Sequence, residues 1–240
     1  GNPEKPEQMW QFAQSCKAIR DCCDDLHFEK NTNLPIIAGN VSFYNQSGDS
    51  AIPSSPMIGS FGKSLNINNA IKNSFQSDTS TVFVLGEKNQ QLGGSIIANI
   101  LKVKNNDVCH FSNKNYSTLL NSVIDLGAKN LVLSSRVVTR GGLAVSLCKM
   151  SFHNSVGIAA NMGERKFDID LFNENLSIVI EVDNKNVAEA QKTLETNNIP
   201  FDIIGATSSE ETIMINNKVN ISIKEAENAW GTSLRKKLLS

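Results

Sequence analysis

Short apolar runs that alternate with helical stretches are the feature that most constrains the fold of this chain. The run at 81–86 (Thr-Val-Phe-Val-Leu-Gly) is apolar at almost every position. A strand with one face in water would alternate between apolar and polar residues, so this run predicts a strand buried on both faces. The same reasoning predicts strands at 130–134, 177–182 and 201–205, and helices at 95–101, 116–126, 143–150 and 187–194. Strands alternating with helices indicate a layered α/β or α+β domain.

The last part of the chain carries two local signals. Residues 212–221 read as a hairpin that turns at Asn216-Asn217, residue types that tolerate a positive φ. The final helix is predicted to begin at Ser222, because Glu225 follows three residues later in the spacing of a capping box.

The first part of the chain combines a helix with two short apolar runs. Residues 7–26 carry apolar side chains at helical spacing, and the runs at 36–38 and 57–62 predict two strands of a buried layer. Two tryptophans and two cysteines on the faces of predicted helices are expected to lie in the core: Trp10, Trp230, Cys16 and Cys148.

A small polar loop follows the run at 36–38. Gly39 permits a sharp turn or a close approach to a ligand, and Asn40 and Ser42 project to the same side if the backbone is extended. An amide and a hydroxyl together suit a phosphate, or one oxygen ligand of a Mg²⁺ ion. An ordinary polar turn explains these residues equally well.

Composition excludes several classes of function. Of the 240 residues, 40% are hydrophobic and 20% are charged, a composition typical of a globular protein. The net charge of −1 offers no electrostatic attraction to nucleic acid or to an anionic membrane. No apolar run approaches the roughly 20 residues that cross a bilayer, and the polar start is unlike a signal peptide. Five cysteines without C-x-x-C spacing favour neither a disulfide framework nor a zinc ribbon. We expect a cytoplasmic protein.

Several motifs together resemble a known family. The chain begins Gly1-Asn-Pro-Glu-Lys-Pro-Glu-Gln-Met-Trp-Gln-Phe12 and continues with Pro35-Ile-Ile-Ala-Gly-Asn-Val-Ser-Phe-Tyr-Asn45, Gly141-Gly-Leu-Ala-Val-Ser-Leu147 and Leu171-Phe-Asn-Glu174. In this order the motifs resemble phosphoribosylformylglycinamidine synthase II, the small purine-pathway form. The resemblance extends from the first residue to the last helix and covers the C-terminal part of a much longer family protein, so we expect a fragment.

The resemblance implies a PurM-like fold in two parts. Residues 1–78 would form an incomplete sheet-forming, ATP-binding N-terminal domain, and residues 79–240 a C-terminal α/β domain. Sheet domains pair in this family, so a truncated one would expose its pairing edge and favour dimerisation or aggregation.

The resemblance also implies an activity. The intact protein would be an ATP-dependent carbon–nitrogen ligase that converts formylglycinamide ribonucleotide and ammonia to formylglycinamidine ribonucleotide in purine biosynthesis. Its cofactors would be ATP and Mg²⁺, and its partners a glutaminase subunit, a small bridging subunit and the remainder of its own chain. The family's catalytic histidine lies outside these residues, so no catalytic residue is assigned and the chain alone is expected to be inactive.

Three residues match family positions with known roles. The resemblance assigns ATP binding to Gly39, Mg²⁺ binding to Asn40 and substrate binding to Ser42. Gln46 stands where the family usually carries glutamate, which removes a charge beside this loop.

Two glycine pairs are weaker candidates for phosphate loops. Gly93-Gly94 and Gly141-Gly142 each precede a predicted helix, whose free N–H groups favour an anion, although close packing explains such glycines as well.

The second half departs from the family pattern. Arg140 replaces an acidic residue and Ile178 an arginine, which suggests a mainly structural half.

Two alternative functions stay open. One is a related ATP-binding kinase or synthetase of the same superfamily, such as a thiamine-phosphate kinase or a selenophosphate synthetase. The other is a structural half whose nucleotide site is vestigial.

Overall fold

The chain divides into two compact units in a computed structural model that describes residues 1–29, 32–64, 66–88, 91–103, 107–163 and 167–239. The first unit comprises Gly1–Leu65 and Ser112–Ser117, and the second comprises Asn66–Phe111 and Thr118–Ser240. The domain boundary expected after residue 78 rests on the family resemblance and stays a prediction.

Helices and strands alternate through most of the chain. The helices are α1 (Pro6–Asp25), α2 (Ile96–Leu101), α3 (Asn113–Ala128), α4 (Gly142–Phe152), α5 (Phe167–Phe172), α6 (Val187–Thr196) and α7 (Ile223–Leu239). The strands are β1 (His27–Glu29), β2 (Thr32–Asn33), β3 (Gln46–Ser47), β4 (Ser50–Ala51), β5 (Ser80–Leu85), β6 (Ser134–Val137), β7 (Gly157–Ala160), β8 (Ile178–Asp183), β9 (Phe201–Ser208), β10 (Thr212–Ile215) and β11 (Val219–Ser222).

The second unit is built on a seven-stranded sheet with the order β11-β10-β7-β9-β5-β8-β6. Strands β10 and β7 pair in parallel, and the other neighbours pair antiparallel. The expected mixed α/β fold class is confirmed by this sheet and its helices.

Strand β5 is buried on both faces, as its sequence predicts. Val82 belongs to the main hydrophobic cluster together with Leu147 and Met150 of α4. Phe83, the next residue, projects from the opposite face and is also fully buried. Layers of side chains therefore cover both faces of β5, and β8 and β9 flank it within the sheet.

The predicted helices and the C-terminal hairpin are confirmed. Leu143, Leu147 and Met150 form the buried stripe of α4. Asn216 and Asn217 have φ values of 50° and 56° in the turn between β10 and β11. The Glu225 N–H donates to the Ser222 hydroxyl at 3.2 Å, which is one of the two hydrogen bonds of the predicted capping box.

The two strands predicted in the first part of the chain are wrong. Residues 36–38 and 57–62 have no strand pairing, and side chains such as Ile37 and Met57 are exposed. A strand needs a neighbouring strand to satisfy its backbone hydrogen bonds. The described strands of the first unit are only two or three residues long, and they pair as two small hairpins, β1 with β2 and β3 with β4. Apolar composition alone therefore did not create a buried layer here.

Three predicted core side chains lie elsewhere. Trp10 and Cys16 are exposed on α1, a helix without a buried residue. Trp230 is also exposed, with the Lys149 ammonium 3.9 Å from its ring centroid. Cys148 does pack against the main cluster, as expected.

The strand predicted at 130–134 is misplaced, and β7 and α5 were not predicted. The buried residues Leu131 and Val132 precede β6 instead of forming it. Strand β7 has the sequence Gly-Ile-Ala-Ala, which is poor in strand-forming residues. A Cβ atom at Gly157 would lie 1.8 Å from the carbonyl oxygen of Glu210, so packing selects glycine there over strand propensity.

A buried carboxylate joins several strands of the sheet. Glu181 of β8 is fully buried, and its oxygens accept hydrogen bonds from the N–H groups of Gln76 (2.9 Å) and Ser77 (2.9 Å). The hydroxyls of Ser80 and Ser134 donate to the same carboxylate at 2.8 and 2.6 Å. Such a carboxylate is stable inside a protein because hydrogen-bond donors replace its water shell.

Glu181→Gln is expected to lower the free energy of unfolding by about 3 kcal/mol, because an amide group would point its own hydrogens at these donors. Urea unfolding measures this change. The exposed Glu195→Gln provides a matched control, with an expected change within about 0.5 kcal/mol. Equal stability of the two variants would contradict a structural role for the Glu181 carboxylate.

Stability should also fall at high pH because of Cys148. Burial raises the pKa of this thiol from 9.0 to about 11, so the folded state keeps the proton while the unfolded state loses it. The thiol therefore contributes stability that is complete below pH 9 and is lost by pH 11, up to about 2 kcal/mol. Urea unfolding of the wild-type and Cys148→Ala proteins between these pH values measures the difference. Parallel pH profiles would contradict this prediction.

Candidate functional site

The loop that carries Gly39, Asn40 and Ser42 is exposed and held at both ends. At its start, the N–H of Leu34 donates to the carbonyl oxygen of Cys23 on α1 at 3.1 Å. At its end, the Phe43 ring packs edge-on against Phe12 of α1, with the ring centroids 5.2 Å apart. These contacts fix the loop against α1, and the residues between them are exposed to solvent.

The first unit does not itself require a glycine at position 39. A Cβ atom built at Gly39 would meet nothing within 4 Å. Farther along, Tyr44 has a φ of 59°, which is uncommon for a residue with a side chain. The side-chain amide of Asn45 donates to the Ser42 carbonyl oxygen at 3.4 Å. The loop thus presents an amide, a hydroxyl and an unobstructed stretch of backbone.

A metal ion at this loop would need further ligands. The oxygen of the exposed Asn40 side chain is of the type that Mg²⁺ accepts. In the described part of the chain, however, no group of three or more His, Cys, Asp or Glu side chains is placed to hold an ion. The Mg²⁺ role of Asn40 stays a prediction.

Gln46, the departure from the family pattern beside this loop, has a structural contact. Its side-chain oxygen accepts a hydrogen bond from the side-chain amide of Asn2 at 3.0 Å. The amide thus ties the start of the chain to β3.

The two glycine pairs of the second unit differ in whether close packing requires a glycine. At the second pair, Gly141 and Gly142 have φ values of 89° and 72°, and a Cβ atom at Gly142 would lie 2.6 Å from the backbone of Phe172. Close packing of α4 against the end of α5 therefore requires glycine there. Gly94 has a φ of 77° but open space around it, and the Gly93 N–H donates to the Asp107 carbonyl oxygen at 3.1 Å.

One carboxylate connects both glycine-led helix starts. An oxygen of Glu174 accepts hydrogen bonds from the N–H of Gly141 and from the N–H of Ile96, the first residue of α2, each at 2.9 Å. A negative group is favoured at these helix N-termini. The protein thus places its own anion where the sequence predicts a phosphate, and the phosphate role of the glycine pairs stays a prediction.

Sequence reasoning missed the part that Glu174 plays. Its place in Leu171-Phe-Asn-Glu174 marked a family motif, but no local pattern connects it to a residue 78 positions away. Only the packing of α5 beside α4 brings the carboxylate to both amides.

A small cavity lies at the end of the sheet beside α4. Its volume is about 60 Å³, and its lining includes Gly86, Lys88, Leu143, Asp170, Asn173 and Asp202. That volume holds about two water molecules, whereas ligand pockets typically measure about 300–1,000 Å³. The cavity is therefore too small for a nucleotide.

The other departures from the family pattern have different surroundings. Arg140 is exposed just before α4. Ile178 is buried at the start of β8, where it pairs with Leu85 and Val137. An apolar side chain suits this strand position, whereas an arginine would have to bury its charge.

Residues 80–215 match the family described as AIR synthase related protein, C-terminal domain, and the chain belongs to that family. The matched region contains the sheet from β5 to β10.

The chain is further similar to the phosphoribosylformylglycinamidine synthase subunit PurL of Sulfurimonas denitrificans. The two are 31% identical over 98% of this chain and 31% of that protein. The chain therefore spans about a third of the length of the curated relatives that it matches. These relatives confirm the resemblance that the motifs predict.

Two solved structures share the fold of part of this chain. One is T. maritima PurL complexed with FGAR, with a TM-score of 0.56 and 8% identity over 67% of this chain and 30% of that one. Another is T. maritima PurL complexed with ATP, with a TM-score of 0.53 and 9% identity over 67% of this chain and 27% of that one. At this identity the likeness supports the fold alone.

No helix among the described residues is long and apolar enough to cross a membrane.

Glu174→Ala should loosen both helix starts at once, because the Ile96 and Gly141 amides would lose their shared acceptor. We expect a loss of about 2 kcal/mol in the free energy of unfolding and faster hydrogen exchange at these two amides, measured by NMR. Glu174→Gln is the matched control, since its carbonyl oxygen still accepts hydrogen bonds. Unchanged exchange in Glu174→Ala would contradict the bridging role.

Proposed function

We propose that this chain is part of an ATP-dependent phosphoribosylformylglycinamidine synthase. The observation that carries the proposal is the 31% identity to PurL over 98% of this chain. The intact protein would form the amidine of formylglycinamide ribonucleotide with ammonia, which makes it a carbon–nitrogen ligase of the cytoplasm.

The loop from Gly39 to Ser42 would supply this chain's contacts to the ligands. We assign the exposed backbone at Gly39 to ATP, the Asn40 side-chain oxygen to Mg²⁺ and the Ser42 hydroxyl to the ribonucleotide substrate. The open space at Gly39 supports the first assignment, because the fold itself has no need for a glycine there. When bound, Mg²⁺ would neutralise phosphate charge, and the loop would orient the groups around it.

Activity would require the remainder of the longer polypeptide. Asn40 alone cannot hold an ion, and this chain is assigned no catalytic residue. Ammonia would come from a glutaminase subunit through a small bridging subunit, so both are proposed partners.

A structural role for the second unit is the other candidate function. Glu174 already accepts hydrogen bonds from the amides at both glycine-led helix starts, and Ile178 is buried. These observations favour a second unit whose own nucleotide site is vestigial, which is compatible with a working loop at Gly39.

Reconstitution tests the proposal. The chain would be mixed with the remaining two-thirds of a synthase polypeptide, and ADP release would be followed with ammonia and formylglycinamide ribonucleotide. We expect activity only when both parts are present, with losses of at least about tenfold for Asn40→Ala and Ser42→Ala. The exposed Asn68→Ala and Ser47→Ala serve as matched controls and should leave activity unchanged.

Gly39→Ala gives the sharpest single comparison. The folded chain has room for the methyl group, so stability should stay equal or rise by up to about 1 kcal/mol. Nucleotide binding by the reconstituted enzyme, measured by calorimetry, should weaken at least about tenfold. Gly62→Ala, where a Cβ atom also meets nothing within 4 Å, is the control.

The reconstitution experiment can also contradict the proposal. Two parts that associate but release no ADP would refute the synthase proposal and favour a superfamily kinase or a purely structural role.

A further inference from the structure

The loop from Leu34 to Phe43 is longer than the distance between its two anchors on α1. One anchor is the carbonyl oxygen of Cys23, which accepts the Leu34 N–H, and the other is the ring of Phe12, which packs against Phe43. The helix from Phe12 to Cys23 is about 16 Å long. The loop could reach about 30 Å in a fully extended chain. It therefore has slack, and its length does not set its path.

Contacts between the anchors do not set the path either. Among the described residues, the hydrogen bond that reaches the stretch from Asn40 to Ser42 is the one from the Asn45 amide to the Ser42 carbonyl oxygen, at 3.4 Å. At Gly39 a Cβ atom would meet nothing within 4 Å. The position of the polar groups thus depends on the anchors, and the ring contact of Phe43 is the anchor directly beside Ser42.

The chain leaves the loop through a turn that needs support on both sides. Tyr44 has a φ of 59°, a left-handed conformation that is unfavourable for a residue with a Cβ atom. After the turn, the carbonyl oxygen of Asn45 accepts the Ile52 N–H at 3.2 Å. Before the turn, the ring of Phe43 is held by α1. Such a conformation persists only where the surrounding contacts hold it.

We propose that Phe12 is a positioning residue for the proposed synthase, which holds Ser42 in place through the ring of Phe43. The inference rests on the proposed function, in which the Ser42 hydroxyl binds the ribonucleotide. The two rings are 5.2 Å apart at an angle of 70°, the edge-on geometry that aromatic pairs favour. The contact therefore fixes the direction of the backbone at Ser42, whereas Gly39 lies four residues away from it.

The reconstituted enzyme tests this role through its two substrates. Phe12→Ala should raise the KM for formylglycinamide ribonucleotide about tenfold, because the Ser42 hydroxyl would no longer be held where the substrate binds. The KM for ATP and the kcat should each change less than about threefold, since the Gly39 end of the loop keeps its anchor at Cys23. A general loss of folded protein would instead lower the rate without separating the two substrates.

Two further variants control for the loss of an aromatic side chain from α1. Phe12→Leu keeps an apolar side chain against Phe43 and should recover most of the affinity for the ribonucleotide. Trp10→Ala removes another exposed aromatic ring of the same helix. It should leave both KM values unchanged.

A measurement on this chain alone does not depend on catalysis. Backbone order parameters from ¹⁵N relaxation should fall at Ser42 and Phe43 in Phe12→Ala, from the value near 0.85 of a rigid backbone to below about 0.6. Leu34, at the other anchor, should keep its wild-type value. Trp10→Ala should leave all of these order parameters unchanged.

The two measurements separate a failure of this inference from a failure of the proposed function. If the reconstituted enzyme is active and loses activity in Ser42→Ala, but Phe12→Ala keeps the wild-type KM values, Phe12 has no positioning role. Equal rises in both KM values would overturn the inference as well. If the reconstituted enzyme is inactive, the synthase proposal fails, and unchanged order parameters in Phe12→Ala would then refute the positioning of the loop independently.

Discussion

The buried carboxylate of Glu181 is the interaction on which the second unit most depends. It lies in β8 and receives hydrogen bonds from residues just before β5, from Ser80 at the start of β5 and from Ser134 at the start of β6. The Ser80 hydroxyl is also 2.8 Å from the Thr207 hydroxyl of β9. One charged group therefore sets the relative position of four neighbouring strands. Because each donor would lose its partner if the carboxylate moved, the network allows a single arrangement.

Glu174 performs a related task near the end of the sheet. There the anion joins two helix starts, and the glycines at 141 and 142 allow α4 to approach the backbone of α5 closely. Both carboxylates use backbone N–H groups that would otherwise be unsatisfied. The carboxylates of this unit thus have structural roles. At the two helix starts that follow glycine pairs, Glu174 occupies the place where the sequence pattern predicts a phosphate.

The first unit follows a different principle. Its loop at Gly39 is anchored by Leu34 and Phe43 and is exposed between them, and several apolar side chains farther along are exposed too. Such a surface is costly for an isolated unit, because apolar area in water is unfavourable. Under the proposed synthase role, this apolar segment would be covered by another part of a longer polypeptide.

Local and periodic signals in the sequence determined most of the second unit. The uniform apolar run at β5, the stripe of α4, the Asn216-Asn217 turn and the cap at Ser222 each depend on residues close together in the chain, and each was predicted. Tertiary structure alone decided that Ile36 and Ile37 would be exposed, that β7 would join the sheet, and that Glu174 and Glu181 would bridge distant amides. The physical reason is that a strand or a buried charge is stable only with partners, and those partners lie far away in sequence.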